Sequence, residues 1–129
     1  AQLNGDFTQA KAYEETIAYL QSSPAPDVVY CENDNMCFGV MQALDELGIA
    51  YGDGSVTLIS FDAGRTALSY CKDGKIDLCA ECNPLHGPRV RALIKQLARG
   101  ETPEKLSYMP EALFTADTLT AELLESRVY

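Results

Sequence analysis

Apolar runs of strand length alternate with amphipathic runs of helix length along the whole 129-residue chain, and no hairpin signal joins two strands directly. That alternation restricts the fold more than any single motif. Strands separated by helices return in the same direction, because a parallel pair needs a long crossover, usually a helix. The strand runs are continuously apolar rather than alternating, which is the pattern of strands covered on both faces. The fold class expected is therefore α/β, an open parallel sheet flanked by helices on both faces.

The elements read in order as follows. Residues 1–4 look like the tail of a strand. Asp6 is a candidate N-cap, with Gln9 three residues on as in a capping box, and Ala10, Tyr13, Ile17 and Leu20 form a helical stripe that stops before Pro24. Residues 27–31 read as a buried strand. A second helix carries Cys37, Val40, Met41 and Leu44 on one face, and Gly48 is its expected terminator. The Gly52-Asp53-Gly54 turn leads into a strand over 55–61. A short helix over 66–72 ends at Gly74, and 76–82 is the next strand. Pro84 and Pro88 open a helix with Val90, Leu93, Ile94 and Leu97 inward, ended by Gly100. An extended piece over 106–114 precedes a last helix from about Ala116, capped by Thr115. No internal repeat or low-complexity stretch interrupts this order.

The chain is long enough for one domain with a core of its own. Its net charge of −9 argues against nucleic acid, whose phosphates it would repel. No apolar run approaches the ~20 residues that a membrane-spanning helix needs. The sequence opens at Ala1 without a methionine or a signal peptide, as would a mature secreted protein or a sequence starting inside a longer gene. The five cysteines (31, 37, 71, 79 and 82) are an odd number, so at least one stays unpaired. They fit either a reducing compartment or buried thiols acting as small hydrophobes.

In an open parallel sheet, ligands bind beyond the carboxyl ends of the strands. The residues there are Gly5-Asp6-Phe7, Glu32-Asn33-Asp34, Asp62 and Glu81-Cys82-Asn83. A carboxylate accepts from two neighbouring hydroxyls, an amide donates and accepts in one plane, and an aromatic face covers the apolar side of a sugar ring. The set suits a polyhydroxylated ligand. Each Asp or Asn is equally a helix cap in its own right, and both readings stand at this point. Catalytic signals are weak. Cys79 and Cys82 have C-x-x-C spacing but span a strand, not the helix N-terminus where such a thiolate is stabilised, and no second pair completes a zinc site. His86 is the only histidine, and neither a nucleophile elbow nor a phosphate-binding glycine motif is present. No enzyme activity, cofactor or metal is expected.

Taken in order, Gly5-Asp6-Phe7-Thr8, Glu32-Asn33-Asp34-Asn35-Met36 with Gly39, Ile59-Ser60-Phe61-Asp62, Asp73-Gly74-Lys75 and Glu81-Cys82-Asn83-Pro84 resemble the ribose/galactose-type periplasmic binding proteins. The Gly-Asp-Phe-Thr opening, the glutamate before the proline and Pro-Glu-Lys-Leu at 103–106 are most similar to the galactofuranose-binding branch. The resemblance covers essentially the whole chain. It implies one lobe of a type I periplasmic-binding-protein fold, specifically the C-terminal lobe over 1–129, with about 84–107 packing on an N-terminal lobe outside this sequence. It implies a solute-binding component of an ABC transporter, located in the periplasm or lipid-anchored at the cell surface. Such a protein closes on a monosaccharide and delivers it to the membrane permease.

By position, the resemblance makes Phe7 the aromatic that stacks on the sugar, Asn33 the amide and Asp62 the carboxylate that bond its hydroxyls. Cys82 stands where ribose binders carry glutamine, and Glu81 has a counterpart in the galactofuranose branch. If the partner lobe is missing, the helix over 89–98 should fold back or be covered by a second copy, giving a homodimer. The alternative is the effector-binding domain of a lactose-repressor-type regulator, which shares this fold. Its usual Pro-Asp-Asp-Ile and Pro-x-Leu-Thr-Thr segments are not found, and the free cysteines are the main point in its favour. A small redox or metal module built on the C-x-x-C pair is a third reading.

Overall fold

The computed structural model describes residues 1–52 and 54–129. Asp53, in the middle of the glycine-flanked turn, lies outside the described residues. The elements are α1 (Gln9–Leu20), β1 (Val28–Tyr30), α2 (Asp34–Leu47), β2 (Thr57–Asp62), α3 (Arg65–Lys72), β3 (Leu78–Glu81), α4 (Gly87–Ala98), β4 (Leu113–Phe114) and α5 (Ala121–Ser126). The sheet order is β1-β2-β3-β4. The first three strands are parallel, as the alternation predicts, in the registers Val29↔Leu58 and Ser60↔Cys79. The fourth is antiparallel to β3, pairing Cys79 with Phe114. The sheet is therefore mixed: the chain reaches β4 through α4 and the long extended segment, and comes back in the opposite direction.

The core forms where α2 and α3 meet the sheet. Cys37, Val40, Met41 and Leu44 on α2 are all buried, as their spacing predicts, beside Leu58, Leu68, Cys71, Ile76 and Cys79. Gly48 ends α2 at φ 65°, a conformation glycine adopts without a steric penalty. Residues alternate along β2: Leu58 and Ser60 are fully buried, whereas Thr57, Ile59 and Phe61 are only partly so. One face of the strand is sealed and the other is half covered, because successive side chains point to opposite faces.

The structure corrects several boundaries. Residues 1–4 form no strand. Thr8, not Asp6, caps α1, its hydroxyl accepting from Lys11 N, while Asp6 sits in a left-handed turn. The inward residues of α1 are Ala12 and Thr16, rather than the Ala10-Tyr13-Ile17 stripe. The cause is close helix packing. A Cβ on Gly39 of α2 would lie 2.2 Å from the Gln9 carbonyl oxygen and 3.0 Å from Ala12 Cβ, so small residues make the contact and the large ones flank it. Tyr13 instead reaches sideways to donate to Glu46 Oε2 at 2.5 Å. The strand at 27–31 is buried only at its end, at Cys31: β1 is an edge strand, with Val28 52% and Tyr30 58% exposed. Thr115 closes a turn with Thr118, and the last helix starts later, capped by Thr120.

The helix α4 departs furthest from its expected inward packing. None of its residues is buried, and Ile94 and Leu97 are each 60% exposed. Arg89 anchors it to the extended segment, donating to the Tyr108 carbonyl and to Ser107 Oγ. The extended segment is no better covered, and residues 106–108 are exposed as well.

Candidate functional site

Four loops meet along the carboxyl edge of the parallel strands, and hydrogen bonds stitch them together in sequence. The first is a turn at Asp6 (φ 48°) and Phe7 (φ 53°), closed by Thr8 N donating to Gly5 O at 2.9 Å. It leaves Phe7 63% exposed. The second is the N-terminus of α2. Asn33 Oδ1 accepts from Met36 N at 2.8 Å, and its Nδ2 donates to the Phe7 carbonyl at 3.2 Å. The capping reading of Asn33 is thus realised, and the same amide ties the aromatic's loop to the helix start. One N–H of the amide remains for another partner.

The third loop follows β2. Asp62 is exposed, and it and Ala63 both lie in the left-handed region, at φ 95° and 57°. For non-glycine residues each such position costs roughly 1–3 kcal/mol and persists only where the surroundings enforce it. Here Asp34 supplies part of that enforcement. Its Oδ1 accepts from Ser60 Oγ at 2.5 Å and its Oδ2 from Gly64 N at 2.8 Å. Burial raises the Asp34 carboxyl above its ordinary value, the bonds from Ser60 and Gly64 pull it down, and the charge of Asp62 pushes it up again.

The fourth loop follows β3, whose Glu81 pairs with Asp62 in the sheet, while Cys82 N donates to the Asp62 carbonyl at 3.3 Å. Cys82 is exposed. Glu81 is not free: its Oε1 lies 2.5 Å from Arg127 Nη1 and accepts from the Tyr129 hydroxyl, and its Oε2 accepts from Ala112 N at 3.0 Å. Only 9% of the Glu81 side chain and 10% of the Arg127 side chain are exposed. The Arg127 guanidinium also lies over the rings of Phe114 and Tyr129, 5.0 and 4.7 Å from their centroids. Desolvation pushes the Glu81 carboxyl up, but the bonds from Tyr129 and Arg127 and the charge of Arg127 outweigh it, so it ionises below its usual range. Burial and the bond to Glu81 push the Tyr129 phenol up to about 12. The C-terminal tail is therefore clasped beside the site, with Tyr129 O accepting from Arg65 N at 2.8 Å.

Phe7, Asn33 and Cys82 thus lie on loops, and Asp62 and Glu81 at the ends of β2 and β3, all at one edge of the sheet. Sequence reasoning missed Arg127 and Tyr129, which carry no periodic or motif signal, and it missed the separate role of Asp34. The latter was readable: Asp34, Cys37, Met41 and Leu44 share one helical face by their spacing, and that face is the buried one.

All five cysteines are free thiols, four buried and Cys82 exposed. Hydrogen bonding with Cys31, then burial, raises the Cys37 thiol, and Cys71 and burial do the same for Cys79. These thiols are poor nucleophiles and pack as small apolar groups.

Residues 1–102 match the family model described as a periplasmic binding protein domain. The chain belongs to the periplasmic binding protein family. Within it, the chain is 32% identical to the galactofuranose-binding protein YtfQ of Escherichia coli over 124 residues, covering 93% of this chain and 39% of that protein. It is 29% identical to the fructose import binding protein FruE of Bifidobacterium longum, over 79% of this chain and 30% of that protein. Among solved structures, the periplasmic binding component of the arabinose ABC transporter of Shewanella sp. ANA-3, bound to L-arabinofuranose, superposes with a TM-score of 0.82 at 26% identity. That match covers 97% of this chain and 45% of the other. The fold is that of periplasmic binding proteins, and these relatives bear the names of sugar-binding or sugar-import proteins. The chain spans less than half the length of each of these relatives.

Proposed function

We propose that this chain forms one wall, the C-terminal lobe, of an extracytoplasmic solute-binding protein that captures a monosaccharide and delivers it to an ABC transporter permease. The single observation that carries the reading is the set of four loops at one sheet edge, presenting an exposed aromatic at Phe7 and an exposed carboxylate at Asp62. In this reading Phe7 covers the apolar face of the ring and Asp62 accepts from its hydroxyls. Asn33 donates its remaining N–H, Cys82 lines the rim, and Glu81 shapes the edge through the tail it holds.

The lobe assignment draws on two further features. A cavity of about 670 Å³ separates residues 1–7 from the unpaired edge of β1, with Val28, Tyr30, Met36 and Leu44 in its lining. An extended strand from elsewhere in a longer polypeptide would pair there and bury that apolar surface. The bare α4 stripe fits a helix whose partner is the second lobe, with residues 84–107 as the segment that packs on it. In isolation the chain would cover the stripe with a second copy of itself.

Saturation-transfer NMR with methyl galactofuranoside, D-fructose, L-arabinose and D-ribose tests the reading. At least one should give a transfer signal with the wild-type chain that falls severalfold in both Phe7→Ala and Asp62→Asn. A signal unchanged by both substitutions would refute the assignment.

A further inference from the structure

Asp34 is a carboxylate left 8% exposed at the start of α2, and the proposed sugar contacts do not use it. Its two oxygens serve two different elements. One accepts from Ser60, a fully buried residue of β2, and the other from the backbone of Gly64 in the loop beyond. Ser60 and Gly64 bracket Asp62 symmetrically, two residues on either side. The three residues between them include the consecutive left-handed positions Asp62 and Ala63. Both groups point at the same side chain: the Gly64 N–H can only donate, and the Ser60 hydroxyl donates to an ionised carboxylate.

We propose that Asp34 is a positioning residue for the sugar site: it clamps the turn over 60–64 so that Asp62 is held out at the open edge. Relaxation of Asp62 and Ala63 toward negative φ would turn the Asp62 side chain away from the loops that carry Phe7 and Asn33. The clamp prevents this by fixing both ends of the turn to one rigid helix start. The space at Gly64 agrees, since a Cβ there would come 3.2 Å from Asp34 Oδ2, so the approach of loop and carboxylate is already tight. The raised Asp34 carboxyl is the cost of keeping this group in a buried place beside another acid. The inference rests on the sugar reading only for what the turn presents; the clamp itself is tested without sugar.

The experiment compares wild type, Asp34→Ala and Asp34→Asn by amide hydrogen exchange and by the φ-dependent couplings of Asp62 and Ala63. In D34A the Gly64 amide should exchange at least tenfold faster relative to the β2 amides of Leu58 and Ile59, and the Asp62 and Ala63 couplings should move off their left-handed values. D34N keeps one acceptor for Gly64 and a partner for Ser60, and should restore the couplings and hold Gly64 within about threefold of wild type. A purely structural role would speed exchange at Gly64 and throughout β2 in equal proportion and leave the couplings unchanged, and that result overturns the proposal. Should D34A not fold, Ser60→Ala removes one bond of the clamp and is read by the same criteria. Sugar-induced shifts at Asp62 should fall at least fivefold in D34A. If the wild type shows no such shifts, the sugar reading fails while couplings and exchange still decide the clamp.

Discussion

Replacing Arg127 with Met keeps most of the side chain's bulk and removes its charge. The loss can be worked from the contacts. Glu81 stays nine-tenths buried and keeps Ala112 N and the Tyr129 hydroxyl, but loses the cation it pairs with. An unpaired buried charge of this kind costs about 3 kcal/mol. The stacking over Phe114 and Tyr129 adds about 0.5 kcal/mol for each ring. The expected loss is about 4 kcal/mol, a large share of the 5–15 kcal/mol by which a domain is typically stable. At roughly 3–5 °C per kcal/mol for a domain of this size, the melting temperature by circular dichroism should fall by about 12–20 °C. The double variant Glu81→Gln with Arg127→Met leaves no buried charge and should recover at least half of that loss, a coupling that the double-mutant cycle isolates. A fall of less than about 3 °C in R127M would refute the reasoning, because the tail would then be held by something other than this pair.

Three further outcomes follow from the same contacts. Because the Glu81 carboxyl ionises below its ordinary 4.5 when folded, the clasp's contribution should be complete above that pH and be lost as pH falls through the lower folded value, seen as a falling urea midpoint. A thiol-reactive dye should label Cys82 at once in the native chain and all five cysteines only after denaturation; labelling of a second native thiol at a comparable rate would contradict the packing. Light scattering should report a dimer that Ile94→Glu with Leu97→Glu converts to a monomer with little change in unfolding midpoint, since both side chains are 60% exposed; a monomeric wild type would remove the proposed self-pairing.

The parallel core was legible because its signals are periodic. Strand and helix alternate, and the α2 stripe and its glycine terminator sit where the 3.6-residue period puts them. The direction of β4 was not legible, since an irregular segment joins it to α4 and carries no pattern that fixes which way it runs. The α1 face was misread because apolar size was taken to indicate burial, whereas close helix contact selects Ala12 and Gly39 for smallness. β1 and α4 read as buried for the opposite reason. Their apolar residues are real, but apolar character in a sequence does not say whether the same stretch of chain covers them. At the site, the loops were placed by the carboxyl-edge rule, and the aromatic and carboxylate came with them. The partnership of Glu81 with Arg127, 46 residues later, arises only when the tail folds back.

The central claim is that the carboxyl edge of this lobe is a sugar-facing wall. Backbone-amide chemical-shift mapping with methyl galactofuranoside and D-fructose at tens of millimolar tests it most directly. One wall without its opposite should bind weakly, because two-lobed closure supplies the rest of the contacts and excludes water. The account predicts small, non-saturating shifts for at least one sugar, confined to residues 5–8, 32–34, 62–64 and 81–83. Shifts centred elsewhere, no shifts with either sugar, or a saturating micromolar complex would contradict it.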